Sequence, residues 1–122
     1  MKIFNFIKKN FFFLTLLLFA FILRFYHLDG IPNYLSGDES EIGISARRII
    51  NGEVKASIFE TGWYSIPNAY FYLISLSLRM FGNTLLGIRF FSALASFLTV
   101  IFTYYFGKIL FDRQTGFAAG LI

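Results

Sequence analysis

Three carboxylates fall within four residues, Asp38, Glu39 and Glu41, in the run Ser36-Gly37-Asp38-Glu39-Ser40-Glu41. A carboxylate that is paired or partly buried can act as a general base, drawing the proton from a hydroxyl or amine as that atom attacks. The plainer reading is a helix start. Ser36 or Asp38 caps the first turn and the acids face the positive end of the dipole, a cap being worth about 0.5–2 kcal/mol. The two readings are compatible, because an acid fixed in a first turn is also a well-placed one. Arg89 is the second candidate, since a guanidinium matches phosphate oxygens two at a time. Its plainer role is a membrane-anchoring side chain that reaches for the interface, and Arg24 and His27 share that ambiguity.

Other chemistries have no residues to carry them. The chain holds one His and no Cys, which leaves no thiolate site and no disulfide framework. Glycine-rich phosphate cradles, His-x-x-x-His pairs, carboxylate metal sets and Ser/His/Asp groupings are missing from the sequence. The expected cofactor complement is therefore none, with no ligand set to indicate a divalent metal.

The elements that must position Asp38 are apolar. Of 122 residues, 57% are hydrophobic and 21% aromatic, eighteen of them Phe, and 15% are charged. Soluble domains carry more charge and less apolar surface, so the expected class is all-α integral membrane. A net charge of +4 would suit nucleic acid in a polar chain. Here the basic residues flank apolar runs and read as topology signals, so no nucleic-acid partner is expected.

In chain order, residues 8–28 are expected to form an uncleaved first span. Lys2, Lys8 and Lys9 precede it, which predicts a cytoplasmic N-terminus, and no small-residue cleavage site follows it. Residues 29–84 form an extracytoplasmic loop, entered through the turn Asp29-Gly30-Ile31-Pro32-Asn33. Within it, about 38–50 reads as a helix lying on the membrane surface, with Ile42, Ala46, Ile49 and Ile50 at helical spacing and Asn51-Gly52 ending it. Arg47 and Arg48 then sit near headgroups. Gly62-Trp63-Tyr64 and Pro67 mark a second turn, and Trp63, Tyr64, Tyr70 and Tyr72 read as an interfacial aromatic belt rather than a sugar platform. Residues 67–81 are apolar but short for a crossing, and read as a second juxtamembrane helix. Residues 85–110 form the second span, and 115–122 read as the start of a third that the sequence truncates.

These residues, in this order, resemble the N-terminal part of GT-C type glycosyltransferases, in the protein-O-mannosyltransferase and aminoarabinose transferase-like branch. The resemblance rests on the basic N-terminus and first span, Leu28-Asp29-Gly30-Ile31-Pro32, the Asp38-Glu39 pair and Ala46-Arg47-Arg48-Ile49-Ile50-Asn51-Gly52. It continues through Pro67 with Tyr70 and Tyr72, Phe81-Gly82, Arg89-Phe90-Phe91-Ser92-Ala93-Leu94 and Tyr105-Phe106-Gly107-Lys108-Ile109-Leu110-Phe111. It implies transfer of a sugar, with inversion, from a polyprenyl-phosphate carrier to a protein, lipid or cell-envelope acceptor at the outer face of the cytoplasmic membrane. It implies Asp38 as general base with Glu39 supporting it. Arg89, helping to hold the lipid phosphate or the loop, joins Arg47 and Tyr70 as the expected substrate contacts. The partners implied are the lipid-linked donor, the acceptor and membrane lipids. The chain departs from relatives at Ser65-Ile66-Pro67, where a charged residue or His often precedes the Pro. As an N-terminal piece it is expected to be inactive by itself. The rival reading is a non-catalytic multi-pass protein, either a transporter fragment or a structural subunit. Transporters place their polar groups at the bilayer midplane, whereas here they gather in the loop.

Overall fold

The computed structural model describes the backbone of residues 2–55 and 57–122 and the side chains from Asn10 onward, apart from Ala56. Five α-helices follow one another: α1 (Lys2–Phe25), α2 (Gly37–Ile50), α3 (Asn68–Phe81), α4 (Leu85–Leu110) and α5 (Arg113–Leu121). Among the described residues there is no strand, only one isolated bridge between Thr61 and Pro67. The side chains of Lys2, Lys8 and Lys9, on which the expected cytoplasmic N-terminus rests, lie outside the described residues.

The chain divides into two compact units, Met1–Tyr26 with Ala93–Ile122, and His27–Ser92. In the first, α1 and the later turns of α4 close over Leu16, Ala20, Val100 and Tyr104, with Phe13, Phe97 and Phe117 packed around them. Arg24 donates from Nε to Ser96 Oγ at 2.8 Å. Asp112 caps α5 by accepting from the Thr115 amide at 2.8 Å. The crossing of α4 and α5 leaves no space for side chains: a Cβ on Gly107 would lie 2.8 Å from Gly116 Cα, and one on Gly116 would lie 2.6 Å from Tyr104 O. Close backbone approach of this kind is how helices pack where water supplies no driving force between them.

α4 is long and apolar enough to cross a membrane. Large apolar side chains stand on its outside, Phe102 at 60% exposure and Phe106 at 64%, a surface that water would not tolerate as one patch. In α1 the described stretch Asn10–Phe25 is apolar. The segment expected to run to Leu28 leaves the helix at Phe25, and His27 turns the chain with φ 50°.

In the second unit α2 lies against α3. Ala46, Ile74, Leu78 and Ile88 form the core, bordered by Ile42, Ile50, Tyr70 and Phe91. Gly43 lets α2 approach, since a Cβ there would already stand 3.0 Å from Ile88 Cδ1. The buried Ser75 hydroxyl points its proton between Phe71 O at 2.7 Å and Ala46 O at 3.0 Å, tying the two helices together. α2 ends where Asn51-Gly52 was expected to end it. Gly52 takes φ 71°, its amide reaches Ile49 O, and the Glu53 amide reaches Arg48 O. That is the double hydrogen-bond closure that a left-handed glycine permits.

Candidate active site

The first turn of α2 carries the site. Its N-cap is Ser36 rather than Asp38. Ser36 Oγ accepts from the Glu39 amide and Glu39 Oε2 accepts from the Ser36 amide, each at 3.2 Å. This reciprocal box is the Ser-x-x-Glu pattern. Ser40 adds a third tie, donating from Oγ to Ser36 O at 2.9 Å.

Arg89, one turn into α4 and only 8% exposed, reaches this turn from behind. Its Nε donates to Glu39 Oε1 at 2.8 Å and Nη2 to Glu39 Oε2 at 3.1 Å. The other contacts go to main-chain carbonyls of the preceding loop: Nη1 to Leu28 O at 3.1 Å and to Pro32 O at 2.8 Å, and Nη2 to Tyr34 O at 3.0 Å. A guanidinium has five N–H groups, and five hydrogen bonds use them. Residues 28–36 are thereby bound to the start of both helices through one side chain.

The electrostatics follow from that geometry. The hydrogen bond from Arg89 holds the Glu39 carboxyl below its ordinary value of 4.5, against the opposing effect of burial, and the Ser36 amide adds to the depression. Glu39 is thus fixed as an anion with both oxygens engaged, unable to serve as a proton carrier while the pair is intact. Asp38 is its reverse. It is exposed, and among the described residues no group donates a hydrogen bond to its carboxylate. One acid is tied down by hydrogen bonds and its neighbour stands exposed to solvent.

The remaining expected site residues lie elsewhere. Arg47 is exposed on the opposite flank of α2 from Asp38, where it lines a cavity of about 530 Å³ with Leu35, Ser40, Ile44 and Asn83. Tyr70, half-buried on α3, shares a hydrogen bond of 3.0 Å with Ser92 Oγ and packs on the core. The structure therefore joins Glu39 to Arg89, with Asp38 next to Glu39 in the same turn, and no hydrogen bond links Arg47 or Tyr70 to that pair among the described residues. Sequence reasoning missed Leu28, Pro32 and Tyr34, which act through carbonyl oxygens that every residue type possesses. Trp63, read from the sequence as part of an aromatic belt, walls a smaller cavity beside α2. No group of three or more His, Asp or Glu side chains is placed to hold a metal among the described residues.

Comparison with known proteins covers the second half of this arrangement. Residues 65–122, just under half of the chain, match the family model described as dolichyl-phosphate-mannose-protein mannosyltransferase. No curated protein and no solved structure matches. The matched stretch contains α3, α4 and α5 with Tyr70 and Arg89, and stops short of Asp38, Glu39 and Arg47. Over that stretch the chain is similar to a glycosyltransferase family of the mannosyltransferase kind.

Proposed function

We propose that this chain supplies the general base, and the clamp that positions it, to a membrane glycosyltransferase of the GT-C type using a polyprenyl-phosphate sugar. The observation that carries the reading is the pairing of a free Asp38 with a Glu39 locked by Arg89, in a chain whose α3–α5 region matches a mannosyltransferase family. In this reading the acceptor hydroxyl gives its proton to Asp38 as its oxygen attacks the anomeric carbon. The bond from that carbon to the phosphate oxygen breaks on the far face. Its electron pair leaves with the lipid phosphate, and the configuration inverts. Because the leaving group is already a phosphate ester, no nucleotide site is needed. Arg89 contributes by holding loop and base in place, since its N–H groups are spent on Glu39 and the carbonyls of Leu28, Pro32 and Tyr34.

The test is sugar transfer in membranes containing the native polypeptide, supplied with polyprenyl-phosphate sugars, at matched expression. General-base catalysis is worth about 10²–10⁴-fold, so Asp38→Asn should lower transfer by about that factor without lowering protein abundance. Transfer at the wild-type rate would reduce Asp38 to an ordinary first-turn acid.

A further inference from the structure

On α2, Asp38, Glu41, Ser45 and Arg48 recur at intervals of three, four and three residues, which sets them along one flank of the helix. A cavity of about 310 Å³ opens on that flank, lined by Glu41, Ser45 and Arg48 from α2 and by Trp63, Asn68 and Phe71 across from them. Helix rise places Glu41 about 4.5 Å and Arg48 about 15 Å along the axis from Asp38. The groove therefore begins one turn beyond the free carboxylate and runs away from it.

Its lining narrows what it can hold. Ile49 and Val54 add apolar surface to the lining. A polyprenyl chain, which has no polar group, would still leave the Glu41 carboxylate, Arg48 guanidinium and Ser45 hydroxyl of the α2 wall without hydration and return nothing for it. The main chain on the other wall is already engaged: the Gly62 amide donates to Ile66 O at 2.8 Å and the Asn68 amide to Glu60 O at 2.9 Å. A peptide strand would need unpaired backbone edges for recognition. What remains is a ligand with both hydroxyls and apolar faces, met by the planar charged groups and by the apolar surfaces of Trp63, Phe71, Ile49 and Val54. The volume is at the small end of ligand sites, the size of a single sugar ring.

We propose that this groove binds a pyranose ring of the acceptor, one unit removed from the hydroxyl that Asp38 deprotonates, so that the acceptor is a glycan or glycolipid headgroup. The inference rests on the glycosyltransferase reading for the word acceptor, and on the groove alone for the sugar. The donor's own sugar must place its anomeric carbon against the base, whereas the groove extends away from the base.

Trp63 is the single Trp of the 122 residues, so its intrinsic fluorescence reports on this wall without labelling. The chain should be held in phosphatidylcholine nanodiscs, free of glycoside detergents whose heads would fill the groove. It is then titrated with methyl α-mannopyranoside, methyl α-glucopyranoside and N-acetylglucosamine. At least one should give a saturable change in Trp63 emission, with affinity of about 1 mM. Glu41→Gln and Arg48→Gln should each weaken it about tenfold, while Asp38→Asn should leave it in place. In transfer assays on the native polypeptide, Glu41→Gln should raise KM for the acceptor and leave KM for the donor unchanged.

Absence of a saturable change with every pyranoside, in protein of normal helical content, overturns the proposal. So does a response unaffected by the Glu41 and Arg48 variants, and so does a response to a Ser/Thr-rich peptide in place of sugars. A rise in donor KM overturns the assignment to the acceptor. Pyranoside binding in a chain that supports no transfer would sink the enzymatic reading and leave the groove standing.

Discussion

Arg89 separates two things a guanidinium can do. Its charge and fork suit a lipid phosphate, and the family resemblance implied that it holds either that phosphate or the loop. In the structure its five N–H groups are satisfied by Glu39 and by three carbonyls of residues 28–34. Nothing in the side chains of Leu28, Pro32 or Tyr34 announces this, because the acceptors are main-chain oxygens. Lys has three donors on a point charge and cannot reproduce the fork. Arg89→Lys should therefore release the loop, seen as faster amide exchange across residues 28–36, and Arg89→Ala should cost about 3 kcal/mol by leaving Glu39 unpaired. Acidity should act on the same contact. A carboxyl whose folded value is depressed stabilises the fold above its unfolded value, and that stability is lost as pH falls through the folded value. Because Glu39 lies below its ordinary 4.5, the clamp is fully present at neutral pH and is lost only at pH below 4.5. Thermal unfolding followed against pH should show this acid loss in the wild type and lack it in Glu39→Gln.

At the scale of elements, α2 was the most legible part of the chain. Ser36 and Glu39 stand at capping-box spacing, the apolar residues repeat along one face, and Asn51-Gly52 closes the end. The helix observed, Gly37–Ile50, begins one residue before the expected range. Ser36→Ala should cost about 1 kcal/mol. The end of α1 was less legible, since Tyr26 and Leu28 continue the apolar run while the backbone has already turned at His27. The helix crossing in the first unit was invisible, because Gly107 and Gly116 reveal their role only when two helices are laid against each other. Gly116→Ala should then destabilise that unit by about 1–3 kcal/mol, since backbone atoms of Tyr104 and Lys108 occupy the space of the new methyl. Thermal unfolding in nanodiscs, with Ala118→Gly at an exposed α5 position as control, would measure it.

For the molecule as a whole, composition alone carried the membrane class, and α4 gives it a physical body of sufficient length and apolarity. Which side each segment faces is a separate matter, and the expected arrangement predicts an asymmetric labelling pattern. In intact cells, a membrane-impermeant maleimide should modify Asn33→Cys in the exposed loop. Leu98→Cys, halfway along α4, should stay unmodified. Labelling of Asn33→Cys only in inverted vesicles would reverse the orientation and place Asp38 on the cytoplasmic side, away from any carrier displayed outside.

Two adjacent acids of the same charge thus have opposite relations to the fold. Glu39 accepts from Ser36 and twice from Arg89. Gln would set an NH₂ against a donor there, and Asp is one methylene too short to span the same partners. Asp38 holds nothing up. In a library of every substitution at both positions, sorted once for cellular abundance and once for transfer, Glu39 variants should be depleted from both pools. Asp38 variants should survive the first sort in numbers and fail the second. A position that is free to vary for the folded chain, yet closed to variation for its output, records what selection has asked of the molecule beyond folding.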